Sequence, residues 1–413
     1  MLIHRWRQGL ALLAALGLVS LAVLPGPAGA AVRPDSGEFA VSAAADGIRD
    51  SQQWVLDMLN VEAAWQVTEG ARVTVAVIDS GVNPDVSDLA GSVITGPDYT
   101  GVTTSPASEN WGVHGTWMAS LIAGHGHDGG YSGVIGVAPE ARILSIRVIP
   151  DRDDPHYNRY EHEPESVIQQ SLADGIRYAV THGAKVISMS IGYSAPSGTV
   201  RAELQQAYEH GVVVIASAGN SGGPSEGSDG APESFPANYP SVISVGAVDQ
   251  YGEVAGFSSD NLSVQVAAPG VKVPAQGRDG LYWSVSGTSP ACALVAGVAA
   301  LIKSRYPRLA PDQVASALTS TTTGRPTRGY DSQIGFGIVD AAAALAKAGE
   351  LADTRPVTTG TKATAKYRGV LPAEPVGPRG SGELVLFAVL ALASLALAGV
   401  AAARLAVLRR ADR

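Results

Sequence analysis

Three short motifs, far apart in the chain, carry side chains that could together attack a carbonyl carbon. They are Asp-Ser-Gly at 79–81, His-Gly-Thr at 114–116 and Gly-Thr-Ser at 287–289. A serine hydroxyl such as that of Ser289 is a poor nucleophile near neutral pH and needs an adjacent base. The imidazole of His114, with an ordinary pKa of about 6.5, could accept the proton, and the carboxylate of Asp79 could hold the ring in the required tautomer. These residue types predict nucleophilic catalysis if the fold brings them together.

Each motif stands where a predicted element of secondary structure begins or ends. The apolar run Val73–Ile78 indicates a buried strand, and Asp79 follows it at the carboxyl end, where α/β sheets bind ligands. His114 lies near the start of a helix-like run. Residues 291–302 are all apolar or glycine, which predicts a buried central helix too short to cross a bilayer. Ser289 is expected to be its N-cap, with Pro290 at the first helical position, where free N–H groups favour an anion.

Taken singly, each motif has an ordinary structural explanation: a turn aspartate after a strand, a histidine that caps a helix, and a capping serine. Together, and in the order Asp–His–Ser, they resemble the three signatures of subtilisin-like serine proteases. The separations of 35 and 175 residues also suit that family. The resemblance covers roughly residues 55–348, including the final Gly-Phe-Gly-Ile-Val-Asp stretch from residue 335.

The resemblance implies a serine endopeptidase whose catalytic triad is Asp79, His114 and Ser289. It also implies an oxyanion hole formed by the side-chain amide of Asn220 and the backbone N–H of Ser289. An extended peptide would lie between two short segments, as in strand addition to a sheet. The segments are Ser190, Ile191 and Gly192 on one side and Ser217, Ala218 and Gly219 on the other. The residues alone fit equally a turn asparagine and an ordinary buried strand end.

Strand-like and helix-like runs alternate between the ends of the chain, which predicts a mainly parallel sheet with helices on both faces. The expected strands are 73–78, 143–148, 186–190, 212–217 and 242–248. The expected helices are 114–122, 165–182, 200–210, 289–305, 311–319 and 339–348. The fold class is therefore α/β, and the resemblance makes it a subtilisin-like three-layer fold, with one transmembrane helix added at the carboxyl end.

The two ends of the chain predict export and a membrane anchor. Residues 1–30 have a basic start, an apolar run and a small-residue end, which indicates a secretory signal cleaved after Ala30; an uncleaved anchor is the alternative. Residues 31–54 form a short N-terminal extension and 55–349 the catalytic domain. Residues 350–383, rich in Pro, Thr and Gly, form a tether, and 384–403 form a transmembrane helix. The basic tail 404–413 places the C-terminus in the cytoplasm, so the catalytic domain of this single-pass cell-membrane protein faces outward.

Charge and cysteine content narrow the partners and cofactors. Without the predicted signal and tail, 23 basic and 37 acidic side chains remain, a net charge of −14 that argues against nucleic acid and anionic lipid. Cys292 is the only cysteine, and we expect it to be a small buried hydrophobe. Residues 150–165, with Asp153, Asp154, His156, Glu161 and His162, and also His125 and His127, lack a recognisable metal-ligand spacing. We expect solvated loops there and predict neither a metal nor a cofactor.

Departures from the common pattern refine the resemblance. Ala293 stands where the family usually has proline, and Trp117, after the His-Gly-Thr motif, is expected to narrow the cleft. The short extension, protease domain, proline-rich tether and membrane helix together resemble the mycosins, proteases of actinobacterial type VII secretion systems. Mycosins often carry disulfides, which a single cysteine cannot make. This resemblance implies a protein or peptide substrate, a membrane attachment and secretion-complex membrane proteins as partners.

Two other functions compete with a protease. One is a structural component of a secretion complex in which protease activity is dispensable. The other is a serine esterase, which is disfavoured because no Gly-x-Ser-x-Gly elbow surrounds Ser289.

Overall fold

The computed structural model describes residues 39–40, 45–130, 132–223, 231 and 233–353. The predicted signal, the transmembrane helix, the basic tail and nearly all of the tether lie outside the described residues. Among the residues described, no helix is both long enough and apolar enough to cross a bilayer.

Twelve strands form three sheets in the described part of the chain. The strands are β1 (Phe39–Ala40), β2 (Thr74–Asp79), β3 (Val93–Asp98), β4 (His125–His127), β5 (Ser132–Ile135), β6 (Arg142–Arg147), β7 (Val186–Met189), β8 (Val213–Ser217), β9 (Val242–Val248), β10 (Val264–Pro269), β11 (Val273–Gln276) and β12 (Tyr282–Val285). The main sheet is entirely parallel, in the order β10-β9-β8-β7-β2-β6-β3. The remaining strands form two small antiparallel sheets, with the strand orders β4-β5 and β1-β12-β11.

Nine α-helices accompany these strands in the same described ranges. They are α1 (Ala45–Met58), α2 (Val61–Trp65), α3 (Val113–Ala123), α4 (Tyr157–Glu161), α5 (Glu165–Thr181), α6 (Gly198–Glu209), α7 (Thr288–Arg305), α8 (Pro311–Ser320) and α9 (Ala341–Asp353). The helices that connect parallel strands must cross over the sheet, and burial shows that they cover both of its faces.

The central strand β2 shows how the three layers form. Val75 and Val77 belong to the apolar cluster that contains α3 and α7, whereas Ala76 and Ile78 belong to the cluster that contains α5 and α6. Because successive side chains of a strand point to opposite faces, a strand covered on both sides is apolar throughout. The predicted α/β fold with a mainly parallel sheet is therefore confirmed.

Helix α7 runs through the larger of the two clusters. Every residue from Thr288 to Lys303 is buried, as the all-apolar run predicted. At Gly297 an added Cβ would lie 2.6 Å from a side-chain carbon of Val137, so a larger residue has no room there.

Two predicted domain boundaries fall inside helices. The boundary between the extension and the catalytic domain, at residues 54 and 55, lies within α1, whose Gln52 exchanges two hydrogen bonds with the backbone of Ile135 (2.7 and 3.0 Å). Helix α9 continues to Asp353, so the tether predicted from residue 350 starts in the last turn of that helix.

Candidate active site

Asp79 and His114 are in contact at the carboxyl edge of the main sheet. Asp79 is the last residue of β2 and its side chain is 1% exposed, while His114 lies in the first turn of α3. The Nδ1 atom of His114 is 2.8 Å from Oδ1 of Asp79, which also accepts the backbone N–H of Ser80 at 2.7 Å. A carboxylate in this position favours the tautomer with the proton on Nδ1, which leaves Nε2 free of that proton and able to act as a base.

The glycine of the His-Gly-Thr motif allows this contact. A Cβ at Gly115 would lie 2.0 Å from the carbonyl oxygen of Gly81, so α3 could not approach the loop after β2 with any larger residue there. The N–H of Gly115 donates to Oγ of Ser80 at 3.1 Å, which ties the helix to that loop. The first two motifs are therefore joined by packing as well as by the Asp79–His114 contact.

Ser289 lies at the same sheet edge, at the N-terminus of α7. Strands β2 and β7 pair Ile78 with Met189, so Asp79 and Ser190 are the next residues along these neighbouring strands. The hydroxyl of Ser190 donates to the carbonyl oxygen of Ser289 at 3.4 Å, and the Ser289 residue is 5% exposed. The structure thus brings all three motif residues to one edge of the sheet, with Ser289 where the helix dipole favours negative charge.

The predicted N-cap role of Ser289 is wrong. The structure begins helix α7 one residue earlier than this role requires, at Thr288, after Gly287, whose positive φ of 152° favours glycine. The cap comes instead from Asn220, whose Oδ1 accepts both the backbone N–H of Thr288 (2.9 Å) and its hydroxyl (3.0 Å). Ser289 therefore occupies the second helical position and Pro290 the third, where the missing proline N–H still costs no helical bond.

The same contacts orient the amide of Asn220. Because its oxygen accepts two hydrogen bonds from Thr288, its NH₂ group faces the other way and remains available as a donor. The hydroxyl of Thr288 in turn accepts the N–H of Gly219 at 3.2 Å. Asn220 is thus held beside the N-terminus of α7 with its side-chain NH₂ group available as a hydrogen-bond donor.

A small cleft in front of α7 gathers most of the predicted site. It is lined by Ser190, Gly192, Ser217, Gly219, Asn220, Ser234, Thr288 and Ser289. Of the residues predicted to bind substrate, Ile191 and Ala218 do not line this cleft. Ala218 is fully buried and donates its N–H to Val245 at 3.0 Å, and Ile191 packs against the second apolar cluster.

Ser234 is a cleft residue that the sequence did not reveal. It is 2% exposed, and its hydroxyl has no hydrogen-bond partner among the described residues. Two backbone hydrogen bonds between Tyr193 and Phe235, at 2.8 and 2.9 Å, hold its loop against the segment that follows Gly192. No motif marks this position, because the loop is placed by pairing with a distant segment.

Asp151 is the second unpredicted residue at the site. Its Oδ2 accepts the N–H of Val113 at 2.8 Å and its Oδ1 accepts the N–H of His114 at 2.9 Å. The expectation that residues 150–165 form a solvated loop is wrong here, since Asp151 and Asp154 are buried and Asp154 pairs with the guanidinium of Arg147 at 2.8 Å. Both carboxylates lie inside because hydrogen bonds or an ion pair satisfy their oxygens.

Three further expectations have clear outcomes. Cys292 is buried, and burial raises the pKa of its thiol to about 11, so it is the inert small residue that was predicted. Trp117 is also buried, with its ring edge-on to that of His114 at 6.2 Å, so it supports the histidine from within the core and does not narrow the cleft. His125 and His127 are strand residues of β4, not loop residues, and Nδ1 of His127 lies 2.7 Å from the buried Asp88.

In the part of the chain that is described, no group of three or more His, Cys, Asp or Glu side chains is arranged to hold a metal ion. The chemistry available at the site is that of the hydroxyl, imidazole, carboxylate and amide groups.

Comparison with known proteins gives consistent matches. The subtilase family model matches residues 70–337. Fervidolysin from Fervidobacterium pennivorans is 35% identical over 320 residues, which are 71% of this chain but only 44% of that protein, so the chain spans less than half the length of this relative. The crystal structure of MycP1 from Mycobacterium smegmatis matches with a TM-score of 0.59 and 30% identity, covering 71% of this chain and 84% of that one. MycP3 protease from the type VII (ESX-3) secretion system matches with a TM-score of 0.60 and 32% identity, covering 71% and 87%.

Proposed function

The chain belongs to the subtilase family, as its three motifs predicted, and from that premise we propose that it is a serine endopeptidase acting through Asp79, His114 and Ser289. The observation that carries the proposal is the 2.8 Å contact between His114 and Asp79 at the edge of the sheet where Ser289 lies in the first turn of α7. A histidine whose Nδ1 is held by a buried carboxylate, at the sheet edge that also carries a serine at a helix N-terminus, is suited to acyl transfer.

In the proposed reaction, the Oγ of Ser289 attacks the peptide carbonyl carbon while its proton passes to Nε2 of His114. Asp79 stabilises the resulting imidazolium and does not itself take the proton. The tetrahedral oxyanion is bound by the amide of Asn220 and the backbone N–H of Ser289. His114 then gives the proton to the leaving amine, and water, activated by the same imidazole, hydrolyses the acyl-enzyme and restores the hydroxyl.

The esterase alternative gives this proposal a clear test. The purified full-length chain is incubated with an unfolded protein, and new N-termini are identified by mass spectrometry, with Ser289→Ala as the control. We expect internal peptide bonds to be cut only by the wild-type chain. Hydrolysis of small esters with no cleavage of peptide bonds would instead make the chain an esterase.

The oxyanion role of Asn220 predicts a large effect on turnover. Asn220→Ala is expected to lower kcat by about 10²–10³-fold, equivalent to about 3–4 kcal/mol, the size found for this kind of donor in a subtilisin, with little change in KM. Because Asn220 also caps α7, Asn220→Asp is the matched variant: it keeps the acceptor for Thr288 and removes the donor. A loss in the alanine variant that the aspartate variant restores would assign the effect to the cap.

Substrate is proposed to bind as an extended strand between Ser190–Gly192 and Ser217–Gly219. Backbone hydrogen bonds would supply affinity along both segments, and small side chains leave room for the peptide backbone. The serine hydroxyls that line the cleft make it polar at the point where the side chain before the cleaved bond would enter.

Ser234 predicts a selectivity effect. Its unpartnered hydroxyl takes up space in the cleft, so Ser234→Gly is expected to raise kcat/KM for peptides with a large apolar side chain before the cleaved bond, relative to alanine, by roughly tenfold. The measurement is the ratio of kcat/KM for two peptides that differ only at that position, which cancels any difference in the amount of active enzyme. An unchanged ratio would mean that Ser234 does not limit the size of that side chain.

We further propose that the enzyme is anchored in the cell membrane, with its catalytic domain outside the cytoplasm, and acts together with a type VII secretion system. The support is the likeness to MycP3, a protease of the type VII (ESX-3) system, and the predicted signal at residues 1–30 and span at 384–403. Proteins released by cells carrying the wild-type chain or Ser289→Ala test this role. We expect altered processing of one or more released proteins, whereas loss of secretion only on deletion of the whole chain would favour the structural alternative.

A further inference from the structure

The helix that carries His114 has no cap of its own. Helix α3 is preceded by Gly112, whose φ of 76° lies in the left-handed region and which has no side chain to accept an N–H group. The first N–H groups of a helix have no partner within it and need one from elsewhere. Two of them, those of Val113 and His114, belong to the turn that sets the position of the imidazole.

Asp151 supplies the missing cap from a different part of the chain. It follows β6, and its two oxygens accept one N–H each, from Val113 at 2.8 Å and from His114 at 2.9 Å. The next N–H, that of Gly115, donates to Ser80 at 3.1 Å. The backbone of the first turn of α3 is therefore held by side chains that come from the ends of β2 and β6.

We propose that Asp151 is a positioning residue whose ionised carboxylate holds the backbone of His114 in register with Asp79. This inference rests on the proposed serine endopeptidase function and concerns the same site. An ionised carboxylate accepts both N–H groups at once, whereas protonation turns one oxygen into a hydroxyl that faces an N–H donor. Loss of one bond lets the first turn shift, and His114 moves with it.

The surroundings of Asp151 raise the pKa of its carboxyl group. Burial raises the pKa of Asp151 to about 6, and the nearby charge of Asp79 adds to this, while the N–H groups of His114 and Val113 and the hydroxyl of Ser80 oppose it. The charge of Arg278, from the turn between β11 and β12, interacts with that of Asp151. Arg147, the last residue of β6, is paired with Asp98 and Asp154.

Protonation of Asp151 should change the stability and the activity of the chain in opposite directions. The pKa of Asp151 is higher in the folded chain than its ordinary value of 3.8, so between roughly pH 4 and pH 6 the folded state holds more protons at this site than the unfolded state. The contribution of Asp151 to stability is therefore greatest at low pH and is lost as the pH rises through 6. Activity needs the ionised carboxylate, although the folded chain is less stable with Asp151 ionised than with Asp151 protonated. If Asp151 served only as a structural cap, activity would not rise with pH while stability falls.

The wild-type chain provides the first test. We expect log kcat/KM of the full-length protein to fall below pH 6 with a slope that exceeds one and approaches two, because protonation of Asp151 adds to the loss caused by protonation of His114. In Asp151→Asn, kcat/KM should still level off at alkaline pH, at a value up to about 10²-fold below that of the wild type and with nearly constant KM. The acid limb of its profile should have a limiting slope of about one. Its Tm at pH 7 should be unchanged or higher, since a buried charge is removed.

Asp249→Asn is the matched control, because Asp249 also accepts two backbone N–H groups, at 2.9 and 3.0 Å, in an exposed turn. This variant should keep the wild-type slope and plateau. A slope that nowhere exceeds one in the wild-type chain would overturn the proposal without any substitution. So would an Asp151→Asn enzyme whose rate per folded molecule equals that of the wild type. Either result would leave the peptidase assignment intact, whereas full activity in Ser289→Ala would remove the assignment itself.

Discussion

Ser289→Ala is expected to reduce kcat for peptide hydrolysis by about 10⁶-fold, the size of loss known for the nucleophile of a subtilisin. Without the hydroxyl no acyl-enzyme can form, and His114 has no proton to take up. The oxyanion donors and the cleft remain, so about 10³–10⁴-fold catalysis over water should persist and KM should change little. Initial rates are measured with a fluorogenic peptide at enzyme concentrations high enough to detect the residual activity.

Cys292→Ala is the control for this prediction. Cys292 lies three residues further along α7, is fully buried, and carries a thiol whose pKa is raised by burial. We expect its removal to leave kcat within about twofold, since its thiol makes only weak contacts with Ser188 and Met189 at 3.7 Å and does not itself line the cleft. If both variants lost activity to the same extent, the loss would reflect damage to α7 and not removal of a nucleophile.

Asp79→Asn is expected to lower kcat by about 10⁴-fold. The amide nearly matches the carboxylate in shape, but it can donate an N–H to Nδ1 of His114, at the 2.8 Å contact where the carboxylate accepts one. The imidazole would then carry its proton on Nε2, the nitrogen that has to receive the proton of the serine. Binding of substrate should be unaffected, because Asp79 is 1% exposed and does not line the cleft.

The matched control for Asp79 is Asp85→Asn, an exposed carboxylate in the loop that follows the same strand. It should behave as wild type, which would exclude a general effect of lost negative charge near the site. A value of kcat for Asp79→Asn within tenfold of wild type would show that the tautomer of His114 is not set by Asp79.

Local sequence patterns predicted those elements whose burial leaves a clear pattern in their own residues. Strand β2 is covered on both faces, so its residues form a continuous apolar run that is easily found. Strand β3 was missed because it lies at the sheet edge, is half exposed, and contains Gly96 and Pro97. Proline and glycine in an edge strand cost little, yet they remove the pattern by which strands are detected.

The errors at the active site share one physical cause. Ser289 was expected to cap its own helix, but the cap of α7 comes from Asn220, 68 residues away. In the same way α3 receives its cap from Asp151, 37 residues beyond His114. Rules for helix ends consider neighbouring residues, and both of these caps come from loops that the sheet brings close in space. The proposed triad could be recognised in the sequence because acyl transfer restricts residue type, whereas many polar residues can serve as a cap or line a cleft.

The central claim is that Ser289 is a nucleophile activated by His114 and Asp79. The most direct test is labelling of the full-length chain with a fluorophosphonate, followed by mass spectrometry of the modified peptide. We predict one phosphonyl group per chain on Ser289, retained in Cys292→Ala, absent in Ser289→Ala and slowed by orders of magnitude in Asp79→Asn. Labelling of another residue, or labelling of Ser289 at the same rate in the wild type and in Asp79→Asn, would contradict it.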